Sequence, residues 1–170
     1  MRQVAYALRR VSGALARLEL LACQVLIVAF TALLIANVVS RYVFNRPFYF
    51  AEELAVYMLI WMAFLATCLT IARHDMIKLG LVLDALPRTA RRLANVVTEA
   101  FVLAMVAAVL YASWNWINSP SVAFERALTL NMPKLPFLTI IPIFSVLALI
   151  HVISNLLSLI ALDDEEVGVN

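Results

Sequence analysis

The sequence predicts an all-α membrane protein: four transmembrane helices, an amphipathic N-terminal segment, and an interfacial segment between helices 2 and 3. Three observations predict it. Of the 170 residues, 65% are hydrophobic and 14% charged, whereas a soluble domain has about half and a quarter. Only three glycines occur, which suits helices better than turn-rich β structure. Four apolar stretches each approach or exceed the ~20 residues that a ~30 Å hydrocarbon core requires. They lie at about 18–40, 54–72, 93–118 and 135–162, so residues 1–170 read as a single integral membrane domain. The alternating ten-residue segments of an outer-membrane barrel are missing.

Residues 1–17 come first. Val4, Leu8, Val11 and Leu15 recur at helical spacing, with Arg9, Arg10 and Arg17 between them. A basic amphipathic helix on the membrane surface satisfies that pattern, and so does a simple extension of the first span. The first span is too long for a signal-peptide core, and Val39-Ser40-Arg41-Tyr42 makes a poor cleavage site. It is expected to stay in the membrane.

The corner RYVFNRPFYFAEEL, residues 41–54, joins spans one and two. Glu52 and Glu53 fall in the first turn of span two, where negative charge complements the helix dipole. Arg41 and Arg46 are candidates to pair with them across the hairpin, and all four are candidate contacts for a partner protein. Glu53, Tyr57 and Trp61 share one helical stripe. Tyr42, Phe44, Phe48, Tyr49 and Phe50, with Trp114 and Trp116 at the far end of span three, form an aromatic belt.

The connection RHDMIKLGLVLDALPRTARR, residues 73–92, is too apolar for an exposed loop and too charged to span. An interfacial position suits it, with Arg73, His74, Asp84, Arg88, Arg91 and Arg92 as candidate interfacial residues and Pro87 ending a short helix or turn. In the loop 118–136, Ser119 and Pro120 signal a short helix running through Phe124 to Leu128. Pro133 and Pro136 stop it before span four, and Pro142 predicts a kink inside that span.

Charge sets the orientation. Nine of the 13 Lys and Arg residues fall in the N-terminal segment and the 73–92 connection, and four fall in the opposite loops. The positive-inside rule then makes both termini cytoplasmic. In a bacterial inner membrane the 41–54 corner and the 118–136 loop face the periplasm. The net charge of +2 gives no reason to expect nucleic acid.

The chemistry of catalysis is missing from the pattern. Cys23 and Cys68 are separated and lie in apolar runs, so no disulfide or metal pair is expected. Phosphate loops, nucleophile elbows and metal-spaced clusters are absent, so no cofactor is expected and an enzyme has nothing to stand on. The span centres hold no Asp, Lys or Arg, and Glu19 stands at the edge of span one. Ionisable residues inside spans usually mark transport routes, so the chain reads as an accessory or scaffold subunit. His151 is expected to hydrogen-bond across the bundle, with Asn37 or Asn155 as partner. The alternative, a haem-binding or respiratory-complex anchor subunit, would need His74 and His151 at similar depth, and their positions differ by about 16 Å along the spans.

The block from Arg41 to Pro87 resembles the small membrane subunit of tripartite ATP-independent periplasmic (TRAP) transporters, the DctQ type. The residues carrying the likeness are Arg41, Phe44, Asn45, Glu52, Glu53, Trp61, Arg73, His74, Asp84 and Pro87, with ALTLNMPKLPFLTIIPI before span four. Ala66 and the Asp75-Met76-Ile77 stretch depart from it. The resemblance implies a non-catalytic scaffold for a large membrane subunit. That partner carries substrate with sodium by an elevator motion. A periplasmic binding protein delivers the solute, often a carboxylate, and membrane lipids surround the complex.

Overall fold

The computed structural model describes residues 2–73 and 87–162. Helix α1 runs Arg2–Val43, α2 Ala51–Ala72, α3 Arg88–Ile117, α4 Pro120–Phe124, α5 Leu135–Leu138 and α6 Ile140–Leu162. Among the described residues four stretches are long and apolar enough to cross a membrane: Tyr6–Val43, Ala51–Ala72, Leu93–Ile117 and Leu135–Leu159. These agree with the four expected spans.

Helix α1 settles the choice left open for residues 1–17. It is one unbroken helix of 42 residues, about 63 Å long at ~1.5 Å per residue. That is about twice the thickness of a hydrocarbon core, so the N-terminal turns extend beyond any span it makes. Those turns are two-faced: Arg9, Arg10 and Arg17 are exposed while Ser12 is buried.

The bundle is organised around α6, which contacts α1, α2 and α3, while α1 also pairs with α2. Lipid is as apolar as leucine, so close packing rather than water exclusion joins spans, and small residues serve it best. Cys68 on α2 and Ser145 and Ala148 on α6 are fully buried. Around them Ile71, Val106, Phe144 and Val152 form a core from α2, α3 and α6. Phe64 and Phe144 meet with ring centroids 5.0 Å apart. The outer surfaces of α1 and α3 stay apolar and exposed, at Val25, Val28 and Ile35 on one and Leu93, Val97 and Phe101 on the other.

Two prolines act at helix starts. Pro87, extended at φ −59° and ψ 149°, immediately precedes α3, so α3 begins five residues before the expected span boundary. Pro142 lies in the first turn of α6, where a missing N–H is tolerated. It cannot donate to the Leu138 carbonyl, and the helix is interrupted nearby at Thr139, between α5 and α6. The expected irregularity therefore falls at the head of span four. The short helix after Pro120 also forms, but its expected run to Leu128 is corrected: it ends at Phe124, because Glu125 is extended and the chain beyond pairs with itself from Arg126 to Pro133. The Ser119 hydroxyl turns back to the Trp116 carbonyl at 2.6 Å instead of capping the helix. His74 and Asp84, with most of the proposed interfacial segment, lie outside the described residues.

Candidate functional site

Two polar fastenings stand out in this apolar bundle. The first is at the 41–54 corner. Helix α1 ends where Asn45 adopts left-handed backbone, φ 52°, a conformation asparagine tolerates better than most residues. The corner then folds back on α1. The Arg46 N–H reaches the Ser40 carbonyl at 3.2 Å, the Ser40 hydroxyl donates to the Arg46 carbonyl, and the Phe48 N–H reaches Asn37 Oδ1 at 2.9 Å.

Glu53 fastens this corner to the other loop. Its Oε1 accepts from the Leu128 N–H at 3.1 Å and from the Tyr57 hydroxyl at 3.3 Å. Its Oε2 accepts from the N–H groups of Thr129 and Leu130, at 2.8 and 3.3 Å, and from the Thr129 hydroxyl. An ionised carboxylate is acceptor-only with about four lone-pair sites, and here those sites are filled by neutral donors. The loop is shaped for the task. Ala127 N–H to Met132 O, 2.8 Å, and Lys134 N–H to Glu125 O, 3.0 Å, close it as a small hairpin. Asn131 at φ 49° turns its tip.

The expected stripe extends the contact. Tyr57 stacks on Phe137 at 4.4 Å, and Trp61 Nε1–H donates to the Phe137 carbonyl at 2.8 Å. The expected arginine pairing is corrected: among the described residues no ion pair joins Arg41 or Arg46 to Glu52 or Glu53. Backbone amides take the place of the arginines because they lie above α2 already, at no side-chain entropy cost. Glu52, Arg41 and Arg46 are exposed. The belt aromatics Tyr42, Phe44, Tyr49 and Trp114 are exposed too.

The second fastening lies at the other end of the bundle. His151 on α6 is fully buried, and Glu19 on α1 is 4% exposed. His151 Nε2 lies 3.0 Å from Glu19 Oε1, and Nδ1 lies 2.7 Å from the Ser12 hydroxyl. Glu19 Oε2 is buried without a hydrogen-bond partner among the described residues. One turn further along α6, Asn155 donates to the Ile71 carbonyl at 2.9 Å. The expected partners of His151 are therefore corrected to Ser12 and Glu19; Asn37 serves Phe48 and Asn155 serves Ile71. Both ring nitrogens are engaged within the bundle, so neither is available to an iron, which removes the support for a haem anchor.

Glu19 reads as a span-edge residue from its place at the start of the apolar run 18–40. Its helical offset from Ser12, seven residues, was the available signal: two polar residues two turns apart share one face of α1. Among the described cytoplasmic-interface candidates, Arg73 follows α2 directly and Arg91 lies exposed on α3. Arg88 and Arg92 belong to the first turns of α3, and nothing further is described of their side chains. No group of three or more His, Cys, Asp or Glu able to hold a metal occurs among the described residues.

An α-helical membrane subunit, tied at both ends by polar contacts and clothed in apolar side chains, is the class these features define. The chain belongs to the family described as tripartite ATP-independent periplasmic transporters, DctQ component, which matches residues 30–162. It is 34% identical over 88 residues to the C4-dicarboxylate TRAP transporter small permease protein DctQ of Vibrio cholerae, covering 52% of this chain and 38% of that protein. It is 28% identical over 97 residues to a putative TRAP transporter small permease protein of Haemophilus influenzae, covering 57% and 60%. The matches thus span less than two thirds of either relative. The family is one of transport proteins.

Proposed function

We propose that the chain is the small, non-catalytic permease subunit of a TRAP transporter, seated in the bacterial inner membrane with both termini cytoplasmic. It scaffolds a large elevator-type membrane subunit. That partner takes up a small solute with sodium, and a periplasmic binding protein delivers the solute. A carboxylate is the expected solute class; the Vibrio cholerae relative carries C4-dicarboxylate in its name.

The observation that carries this reading is how the interior polar groups are used. Among the described residues the buried acidic and basic side chains, Glu19 and His151, bond each other across two helices, so they serve as a brace and not as steps along a substrate path. A rigid bundle with apolar flanks on α1 and α3 suits a static support set beside a moving partner and lipid. Glu53 and the 125–134 hairpin stiffen its proposed periplasmic end.

Three measurements test the reading. Expressed alone and reconstituted into proteoliposomes, the chain is expected to transport no organic acid; co-expressed with a large TRAP membrane subunit from the same organism, it is expected to co-purify with it. Sodium-driven uptake by the chain alone would overturn the proposal. Reporter fusions at residues 1 and 170 check the orientation, and periplasmic activity at either terminus would contradict it.

A further inference from the structure

Beside the His151 brace a cavity of about 340 Å³ opens between α1, α2 and α6. That volume is at the small end of ligand pockets, about 300–1,000 Å³. Gly13, Ala16 and Ala72 leave the space, and a side chain added at Gly13 would meet nothing within 4 Å. Arg9 and Arg73 stand on its wall with Ser12, Ser154, Asn155 and Ser158.

The lining has more donors than it uses. Neither Arg9 nor Arg73 makes an ion pair among the described residues, and none of the described lining residues is acidic. Three of the polar neighbours are occupied: Ser12 with His151, Asn155 with Ile71, and Ser158 with the Ser154 carbonyl. The Ser154 hydroxyl is different. Its residue is 2% exposed, and the hydroxyl has no hydrogen-bond partner among the described residues. Two guanidinium forks and a spare hydroxyl in one concavity are the donor set that a phosphate takes, because guanidinium geometry matches phosphate oxygens two at a time.

Position decides which phosphate. Arg73 follows the last residue of α2, and α1 beside the cavity is exposed and apolar at Val11 and Leu18. A headgroup held there would lie where a span ends, with its acyl chains along α1. We propose that this cavity binds the phosphate of an anionic phospholipid, held by Arg9, Arg73 and the Ser154 hydroxyl. Basic pockets between spans take headgroups in this way. The bound lipid ties the first turns of α1 to the ends of α2 and α6.

The test uses the full chain, purified and stripped of lipid. Phosphatidylglycerol, phosphatidylcholine, glycerol 3-phosphate and inorganic phosphate are titrated separately, with retained lipid read by native mass spectrometry and the melting temperature followed in parallel. Phosphatidylglycerol is expected to be retained and to raise the melting temperature, while the two soluble phosphates do neither. Arg9→Gln with Arg73→Gln is expected to weaken phosphatidylglycerol about thirtyfold, the factor two interfacial arginines contribute. Ser154→Ala is expected to weaken it by a smaller factor, and Arg9→Lys with Arg73→Lys to retain most of it. Both arginines are exposed, so the variants are expected to melt like the parent in phosphatidylcholine, which separates lost binding from lost folding. Equal phosphatidylglycerol retention by parent and Gln variant would overturn the site. Equal stabilisation by inorganic phosphate would overturn the lipid as its occupant.

Discussion

His151→Leu is the most informative single change. It removes the partner of Glu19 at nearly constant volume. Were both groups ionised, unit charges 3.0 Å apart would attract by about 5–6 kcal/mol at an effective dielectric constant of ~20. The gain is offset by the cost of bringing both groups out of water, so the net worth of the pair is small. Breaking it is different. The Glu19 side chain is left buried with two unpartnered oxygens where it now has one, and the expected loss is about 3–5 kcal/mol. Glu19→Met together with His151→Leu removes both groups and is expected to return to within about 1 kcal/mol of the parent. Equilibrium unfolding in mixed micelles, across parent, two single variants and the double variant, measures the coupling directly. Additive losses, with the double variant as unstable as the sum of the singles, would refute the reasoning. So would a single-variant loss near the ~0.6 kcal/mol average of interhelical hydrogen bonds in membranes.

The Glu53 fastening gives a local prediction. Glu53→Gln removes a charged acceptor from amides of the 128–130 turn, and their hydrogen exchange is expected to quicken about tenfold or more, since bonds to a charged group contribute about 1.5–3 kcal/mol. Exposed Glu52→Gln is expected to leave those amides unchanged. Combined, the two substitutions are expected to reduce co-purification of the proposed large subunit without altering substrate affinity; unchanged co-purification and uptake would confine Glu53 to loop anchoring. Trp61→Phe loses the 2.8 Å bond to the Phe137 carbonyl and is expected to cost about 1 kcal/mol in unfolding free energy. Asn45→Val, forced to φ 52°, is expected to lower stability by about 1–2 kcal/mol, whereas Asn45→Gly stays near the parent.

The two fastenings differed in how readable they were. The Glu53–Tyr57–Trp61 stripe was visible as a four-residue period, and it does face one set of partners. What it faces was not visible. The amides that Glu53 holds are about 75 residues away, and any loop residue offers an amide whatever its side chain. Arginines were the chemically obvious partners, but backbone donors leave no mark on composition. For His151 the pattern named a cross-bundle hydrogen bond but the wrong partners, because Glu19 was weighed by its place at the edge of the apolar run and not by the face it shares with Ser12.

Local chemistry therefore determined the spans, their count, the short helix after Pro120 and the family likeness, because twenty apolar residues in a row have one stable use in a bilayer. Tertiary structure alone decided that α6 is the hub, that α1 runs unbroken through its basic N-terminus, and that Glu19 points inward to meet His151 132 residues away. Helical periodicity tells which residues share a face. Only the packed bundle tells what that face meets, since in lipid the choice among apolar faces rests on shape and a few hydrogen bonds.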